Sequence, residues 1–250
     1  MGGEVLRPRW PAVNRVRAAF TLRTGGVSRA PYDSFNLGAH VGDAAAAVAQ
    51  NRGLLQQALS LPREPLWLEQ VHGTHVVDAD PLAPEGPPPR ADGAITRKCG
   101  PVLAVLVADC LPVLFAARDG SAVAVAHAGW RGLAAGVLEA TVKALAGTGA
   151  LQAWLGPSIG PDHFEVGEEV RGAFVAHEPA AAAAFTPTAR GGWRCNLQAL
   201  ARARLKALGV DSVHADLSCC YAQPQRFYSY RRDGATGRMA ALIWLHATKC

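Results

Sequence analysis

Cys110 and His127 are the residues of this chain best placed by type and spacing to do chemistry. A thiolate and an imidazole are zinc ligands, at about 2.3 and 2.0–2.1 Å from the ion. They also pair as a thiol nucleophile and its base. Between them, Asp119-Gly120 separates two apolar, β-branched segments. That is a strong hairpin signal, because both central residues of a type I′ turn take positive φ. Strands over 112–117 and 121–127 then run antiparallel, with Cys110 and His127 across the ladder within about two positions of register. Opposite side chains in a ladder lie roughly 5 Å apart at Cβ and diagonal ones about 7–8 Å, so one cation can reach both. A lone cysteine after an apolar run is usually a small buried hydrophobe, and a lone histidine at a strand end is usually a hydrogen-bonded polar group. The two at the ends of one hairpin, followed by Gly129-Trp130-Arg131-Gly132, favour a site.

Other segments offer supporting chemistry. In His72-Gly73-Thr74-His75, Gly73 marks a bulge or turn that aims His72 out of the sheet, and His75 points to the opposite face; the spacing alone leaves open which of them serves the site. Arg23-Thr24-Gly25-Gly26 follows an apolar strand and reads either as a backbone N–H cradle for an anion or as a plain turn. The strand–glycine–helix passage at 129–132 reads as an anion site at a helix N-terminus, with Arg131 adding charge, or as close strand–helix packing.

These segments need a framework to position them. The pattern predicts strands over 17–22, 66–71, from His75 to Val77, 92–96, 151–155, 213–217 and 238–245. It predicts helices from Asp43 as N-cap through Leu59, from Leu133 to Ala146, from Phe164 to Val175 with Glu165, Glu168 and Glu169 in its first turn, and from Leu197 to Leu208 between an Asn196 cap and Gly209. The Pro-rich segment 80–91 is a surface loop or flap and 179–194 is irregular. Cys219-Cys220, adjacent on a strand end, are a poor chelating pair. Helices alternating with strands, together with hairpins, give an α/β fold of α+β character with mixed sheets layered between helices.

The 250 residues suit a single domain, half of them hydrophobic and 18% charged. No apolar run reaches the ~20 residues of a membrane span. The N-terminal stretch has no apolar core, so no signal peptide and a cytoplasmic location are expected. Six cysteines in such a chain argue for thiols rather than a disulfide framework. The formal charge of +5 is scattered, which suits a small anionic substrate better than nucleic acid.

Several blocks together resemble one family: TLRTGGVSRAPYDSFNLGAHVGD, Asn51-Arg52, LEQVHGTHV, Ala91-Asp92-Gly93, VADCLPV, AHAGWRGL, GPSIGPDHFEVGEEV and FYSYRRDGATGRMAALIWL. In this order they are similar to the YfiH family, also called laccase-domain or peptidoglycan-editing-factor proteins, over nearly the whole chain. The resemblance implies one α/β domain similar to the catalytic domain of cytotoxic necrotizing factor. It implies a metal centre of His72, Cys110 and His127, which selects His72 over His75. Three ligands with an open position match a catalytic zinc, with copper the other metal the family name suggests. The implied activity is zinc-dependent phosphorolysis of purine nucleosides (adenosine, inosine, guanosine, methylthioadenosine), with deamination of adenosine by a zinc-activated water at C6. The alternative is a cysteine or zinc hydrolase that edits L-Ser-containing peptidoglycan precursors, and a non-catalytic metal-binding role is a third. A multicopper oxidase is disfavoured, since eight scattered histidines contain no His-x-His pair. Phosphate would be held by Arg23, Arg52, Arg131 and Arg231. Phe227, Tyr228 or Trp130 would stack on a base, and Asp109 would carry a proton or orient a histidine. A monomer acting on nucleosides and phosphate, with no nucleic-acid or membrane partner, is the expected assembly.

Overall fold

The computed structural model describes residues 4–13, 15–82 and 86–247. In chain order the elements are β1 Val5–Leu6, β2 Val16–Thr21, α1 Ala45–Leu59, β3 Val76–Asp78, β4 Gly93–Thr96, β5 Val102–Val107, β6 Leu111–Ala117, β7 Val123–Ala128, α2 Trp130–Ala135, α3 Val137–Ala144, β8 Leu151–Leu155, β9 Glu165–Val166, α4 Glu168–Val175, β10 Phe185–Pro187, β11 Trp193–Cys195, α5 Leu197–Ala207, β12 Ser212–Ala215, α6 Tyr230–Asp233 and β13 Met239–Leu245.

Two large sheets carry the fold. One runs β1-β2-β13-β5 and is antiparallel throughout. The other runs β12-β8-β6-β7-β4-β3 and is mixed, because its outer pairs β12/β8 and β3/β4 are parallel. Side chains alternate across a strand, and here both faces of each sheet are covered. Leu114, Ala116, Val123 and Val125 of the mixed sheet meet Phe20, Leu103, Val105, Ala241 and Ile243 of the other. Leu111, Val113, Phe115, Ala124 and Ala126 turn the other way, onto Leu133, Val137, Leu138, Leu200 and Leu205 of α2, α3 and α5. The outer face of the antiparallel sheet (Ala104, Leu106, Leu242, Trp244) packs on Leu55 and Leu59 of α1. The result is helix, sheet, sheet, helix, as expected of mixed sheets layered between helices. Burial on both faces explains why β5, β6 and β13 read as continuous apolar runs.

The central hairpin forms in the expected register, with Pro112 opposite His127 and Leu111 opposite Ala128. Its turn differs from the expected type I′. Residues 118–121 make a four-residue loop closed by Ala117 N to Ala122 O at 2.9 Å, and of its residues only Gly120, at φ +75°, is left-handed. Asp119 instead accepts Ser121 N at 2.8 Å.

Other differences have local causes. Residues 66–71 form no strand, only bridges at Leu66 and Glu69. The Gln70 amide takes over, donating to Leu106 O at 2.9 Å and accepting Leu106 N at 2.7 Å. The helix expected over 133–146 breaks into α2 and α3 at Gly136, φ +102°. The one expected from Phe164 starts only at Glu168, because Glu165–Val166 pairs with β11. Residues 179–194 are not irregular: a 3₁₀ turn, Pro179–Ala184, leads into β10 and β11 of a third, small sheet. Asn196 does cap α5, accepting Ala199 N at 3.0 Å. Within the Pro-rich segment 80–91, residues 83–85 lie outside the described residues.

Asp43 does not cap α1, whose N-cap is Ala44. Its carboxylate takes Ser28 Oγ at 2.6 Å and Asn36 Nδ2 at 2.9 Å. Buried Asn51 completes this loop clamp, accepting Val27 N at 2.9 Å and donating to Ser28 Oγ and Asn36 O at 2.9 Å each. Asn51→Ala strands those groups in the interior and is expected to cost about 2 kcal/mol or more, read as a lower urea midpoint at unchanged slope.

Candidate metal centre

The chain passes from the antiparallel sheet to the mixed sheet between β5 and β6, through Ala108, Asp109 and Cys110 alone. Asp109 makes the corner at φ +93°, a left-handed conformation that aspartate tolerates better than most side chains. It places Cys110 at the mouth of the seam between the sheets. His127, one residue before the end of β7, is buried beside it. Gly129 lies against Cys110 and His72 because nothing larger fits: a Cβ there would stand 2.9 Å from Cys110 Sγ and 2.9 Å from His72 Cδ2.

His72 arrives from the loop before β3, at φ +61°. The anchor of that conformation is Asp92, the residue before β4. Its Oδ1 accepts His72 N at 2.9 Å, and its Oδ2 accepts Gly73 N at 2.7 Å and Val71 N at 3.1 Å. Oδ1 also takes His127 Nδ1 at 2.8 Å, and the Asp92 carbonyl accepts His127 N at 2.7 Å. One fully buried carboxylate thus sets both histidines. It leaves His127 Nε2 free to face Cys110, the arrangement in which a carboxylate orients a metal-ligating imidazole.

The ligand atoms of His72, Cys110 and His127 lie within 4.8 Å of one another, with Cys110 Sγ 3.8 Å from His72 Nε2. A tetrahedral zinc with ordinary bond lengths would separate S and N by about 3.6 Å, so the donors fit a single small cation with little movement. Asp92 opposes its own burial with the His127 and backbone hydrogen bonds, which hold its carboxyl low. Burial disfavours a Cys110 thiolate, but the charge of His127 and hydrogen bonds from both histidines outweigh it and hold the thiol low. Burial likewise opposes a charged His127, and Cys110 with Asp92 overcomes it and raises its pKa.

The donors open into a cavity of about 580 Å³. Leu106, Val107, Ile159 and Phe164 line it, as do Arg131, Arg231 and Arg238. Of the four arginines expected to hold phosphate, the structure brings Arg131 and Arg231 to the cavity. Arg23 does not line it; it donates to Asp33 O and Pro224 O. Arg52 donates to Leu37 O and stacks 4.2 Å from the Trp67 ring, again outside the lining. The first Gly pair is no anion cradle, since a Cβ at Gly26 would collide with Ser34 O and Asn51 Oδ1. The second is accounted for by packing, with Gly132 against Gly73 O. Of the expected aromatics, Trp130 lines the cavity, whereas Phe227 and Tyr228 are wholly buried in the core. Asp109 orients neither histidine; its Oδ2 accepts Arg231 N at 2.7 Å.

Sequence reasoning missed Asp92, Arg238, His40 and Tyr230. Asp92 reads as the first residue of a strand over 92–96, and only the pairing of that strand with the His127 strand hints at more. Burial and the neighbouring Arg238 and Arg52 lower the pKa of His40.

Fold and site together define a two-sheet α/β sandwich with a candidate His-Cys-His metal site at the seam of its sheets. A family model described as "Multi-copper polyphenol oxidoreductase laccase" matches residues 17–246. Purine nucleoside phosphorylase PA4543 of Pseudomonas aeruginosa is 53% identical over 242 residues, 96% of this chain and 98% of that one. Purine nucleoside phosphorylase YfiH of Escherichia coli is 49% identical over 97% of this chain and 99% of its own. Among solved structures, Neisseria meningitidis protein NMB0706 superposes with TM-score 0.92 at 46% identity, covering 97% of this chain and 99% of that one. YlmD of Geobacillus stearothermophilus gives 0.88 at 31%, covering 98% and 97%. The chain belongs to the YfiH family.

The depressed Cys110 pKa sets a test. In metal-free protein the thiolate persists below the ordinary thiol value of ~8.5. The iodoacetamide rate at Cys110 should therefore hardly fall between pH 8 and 7, whereas an ordinary thiol loses most of its thiolate over that range. Zinc should protect Cys110. Peptide mass spectrometry reads both the rate and the protection, and a Cys110 rate that falls about tenfold over that pH unit, or no protection by zinc, would contradict the geometry.

Proposed function

We propose that this protein is a zinc-dependent purine nucleoside phosphorylase, with deamination of adenosine as a further activity. One observation carries the reading: the His72–Cys110–His127 cluster opens into the same cavity that Arg131, Arg231 and Arg238 line. A cation site and an anion site therefore face one volume, of a size that accepts a nucleoside. The names of the relatives agree with the phosphorylase part of the reading.

Phosphorolysis joins a phosphate oxygen to C1′ of the ribose and breaks the glycosidic C–N bond, whose electron pair leaves with the purine. The arginines hold phosphate by charge-assisted hydrogen bonds and keep it in line. The apolar wall of Leu106, Val107, Ile159 and Phe164 excludes water, which limits hydrolysis. Asp109 Oδ1 has no hydrogen-bond partner among the described residues, and burial raises its carboxyl pKa. We assign the carboxyl of Asp109, a residue of the cavity lining, to the proton taken up by the leaving purine. His72, Cys110 and His127 would hold the zinc, which supplies Lewis acidity in a low-dielectric site.

Zinc is chosen over several coppers because the described residues contain one such cluster, with three donors. None of the relatives named above carries a peptidoglycan activity in its name, so the amidase reading has no such support. No helix of the described residues is long and apolar enough to cross a membrane, and a cytoplasmic, monomeric enzyme is part of the proposal.

Purified protein with inosine and phosphate should yield hypoxanthine and ribose 1-phosphate, and with adenosine also some inosine. Cys110→Ala should cost more than the roughly 10- to 100-fold typical of changes outside the ligand shell. Phosphate-independent cleavage, or full activity in Cys110→Ala with its zinc gone, would contradict the proposal.

A further inference from the structure

The cavity carries an aromatic side chain that the fold itself does not use. Tyr230 is 62% exposed, and of the large apolar side chains left exposed among the described residues it is the one that lines the cavity. Leu217, more exposed still, does not.

The backbone beneath Tyr230 is held from several sides. Ser229 caps the short helix α6, accepting Arg232 N at 3.2 Å. Arg231 N is tied to Asp109 Oδ2 at 2.7 Å, next to the metal centre. Arg232 staples the turn to the core by donating to Cys220 O, Tyr221 O and Phe227 O at 2.8–3.0 Å. The ring therefore projects from a rigid base and has only its two side-chain torsions to settle on binding, so little entropy is lost when a ligand covers it. The Arg238 guanidinium carbon, itself in the cavity lining, is 5.9 Å from the ring centroid. Leaving a tyrosine face in water forgoes hydrophobic stabilisation, and a flat apolar partner recovers it.

We propose that Tyr230 is the platform on which the purine base stacks, and hence a specificity-determining residue of the nucleoside subsite. The inference rests on the phosphorylase reading and adds which part of the substrate this rim receives. A base has an aromatic face to offer. Phosphate does not, and is recognised by charge and hydrogen bonds, which the arginines provide.

The test uses the zinc-loaded full-length protein. Tyr230→Ala should weaken inosine binding by roughly 5- to 150-fold in calorimetry, the span for losing one base stack. The KM for inosine should rise accordingly, with kcat much less affected. In the reverse direction the KM for hypoxanthine should rise, while those for phosphate and ribose 1-phosphate stay put. Tyr230→Phe, which keeps the ring, should restore the affinity. An unchanged inosine affinity in Tyr230→Ala would overturn the proposal, and so would an equal rise for all four reactants or a failure of phenylalanine to rescue. Inosine binding that depends on Tyr230 without turnover would leave the platform standing and remove the phosphorylase reading instead.

Discussion

The site depends on the Asp92 carboxylate. It is wholly buried, and an ion in that position survives only when its hydrogen-bonding capacity is met. Three backbone N–H groups from the His72 loop and the His127 ring meet it here. Those same bonds hold His72 in a left-handed conformation that a non-glycine residue otherwise avoids. Removing the charge would strand the donors and release two of the three candidate ligands at once. The stability of the loop and the geometry of the centre are therefore one quantity.

The second constraint is the crossing of the chain between sheets. Cys110 lies where β5 of one sheet becomes β6 of the other, within three residues. A corner that short cannot relax independently of the two cores on either side. The thiol thus inherits the rigidity of the sandwich, while the missing Cβ of Gly129 leaves the room that the sulfur and the His72 ring occupy. Asp109 extends the coupling outward, since its backbone carbonyl receives Ile159 N at 2.9 Å and its carboxylate holds the Arg231 turn. The His-Cys-His side and the arginine side of the cavity are joined through one residue.

Much of this was legible in the residues. Apolar runs and an Asp-Gly turn were enough to place Cys110 and His127 on one hairpin, because the position of the turn fixes the register of the strands it joins. The layered mixed-sheet class followed from the same patterns. His72 was chosen over His75 by family resemblance, not by spacing, since what decides it is a hydrogen bond to an aspartate twenty positions away. The arginines divided for a similar reason. Arg23 and Arg52 stand in motifs as suggestive as that of Arg131, but the fold holds their guanidinium groups away from the cavity, on Asp33 O and Leu37 O. Strands without alternation, such as β10 and β11, and the amide of Gln70 standing in for a strand left no local signature.

Replacing the Asp92 carboxylate with its neutral isostere tests the central claim most directly. Zinc affinity of Asp92→Asn, measured by competition with a chromophoric chelator on folded protein, is predicted to fall by about 10- to 100-fold, the range for losing the group that orients a ligand. An affinity equal to that of the unaltered protein would show that the two histidines find the metal without the carboxylate, and would contradict the account.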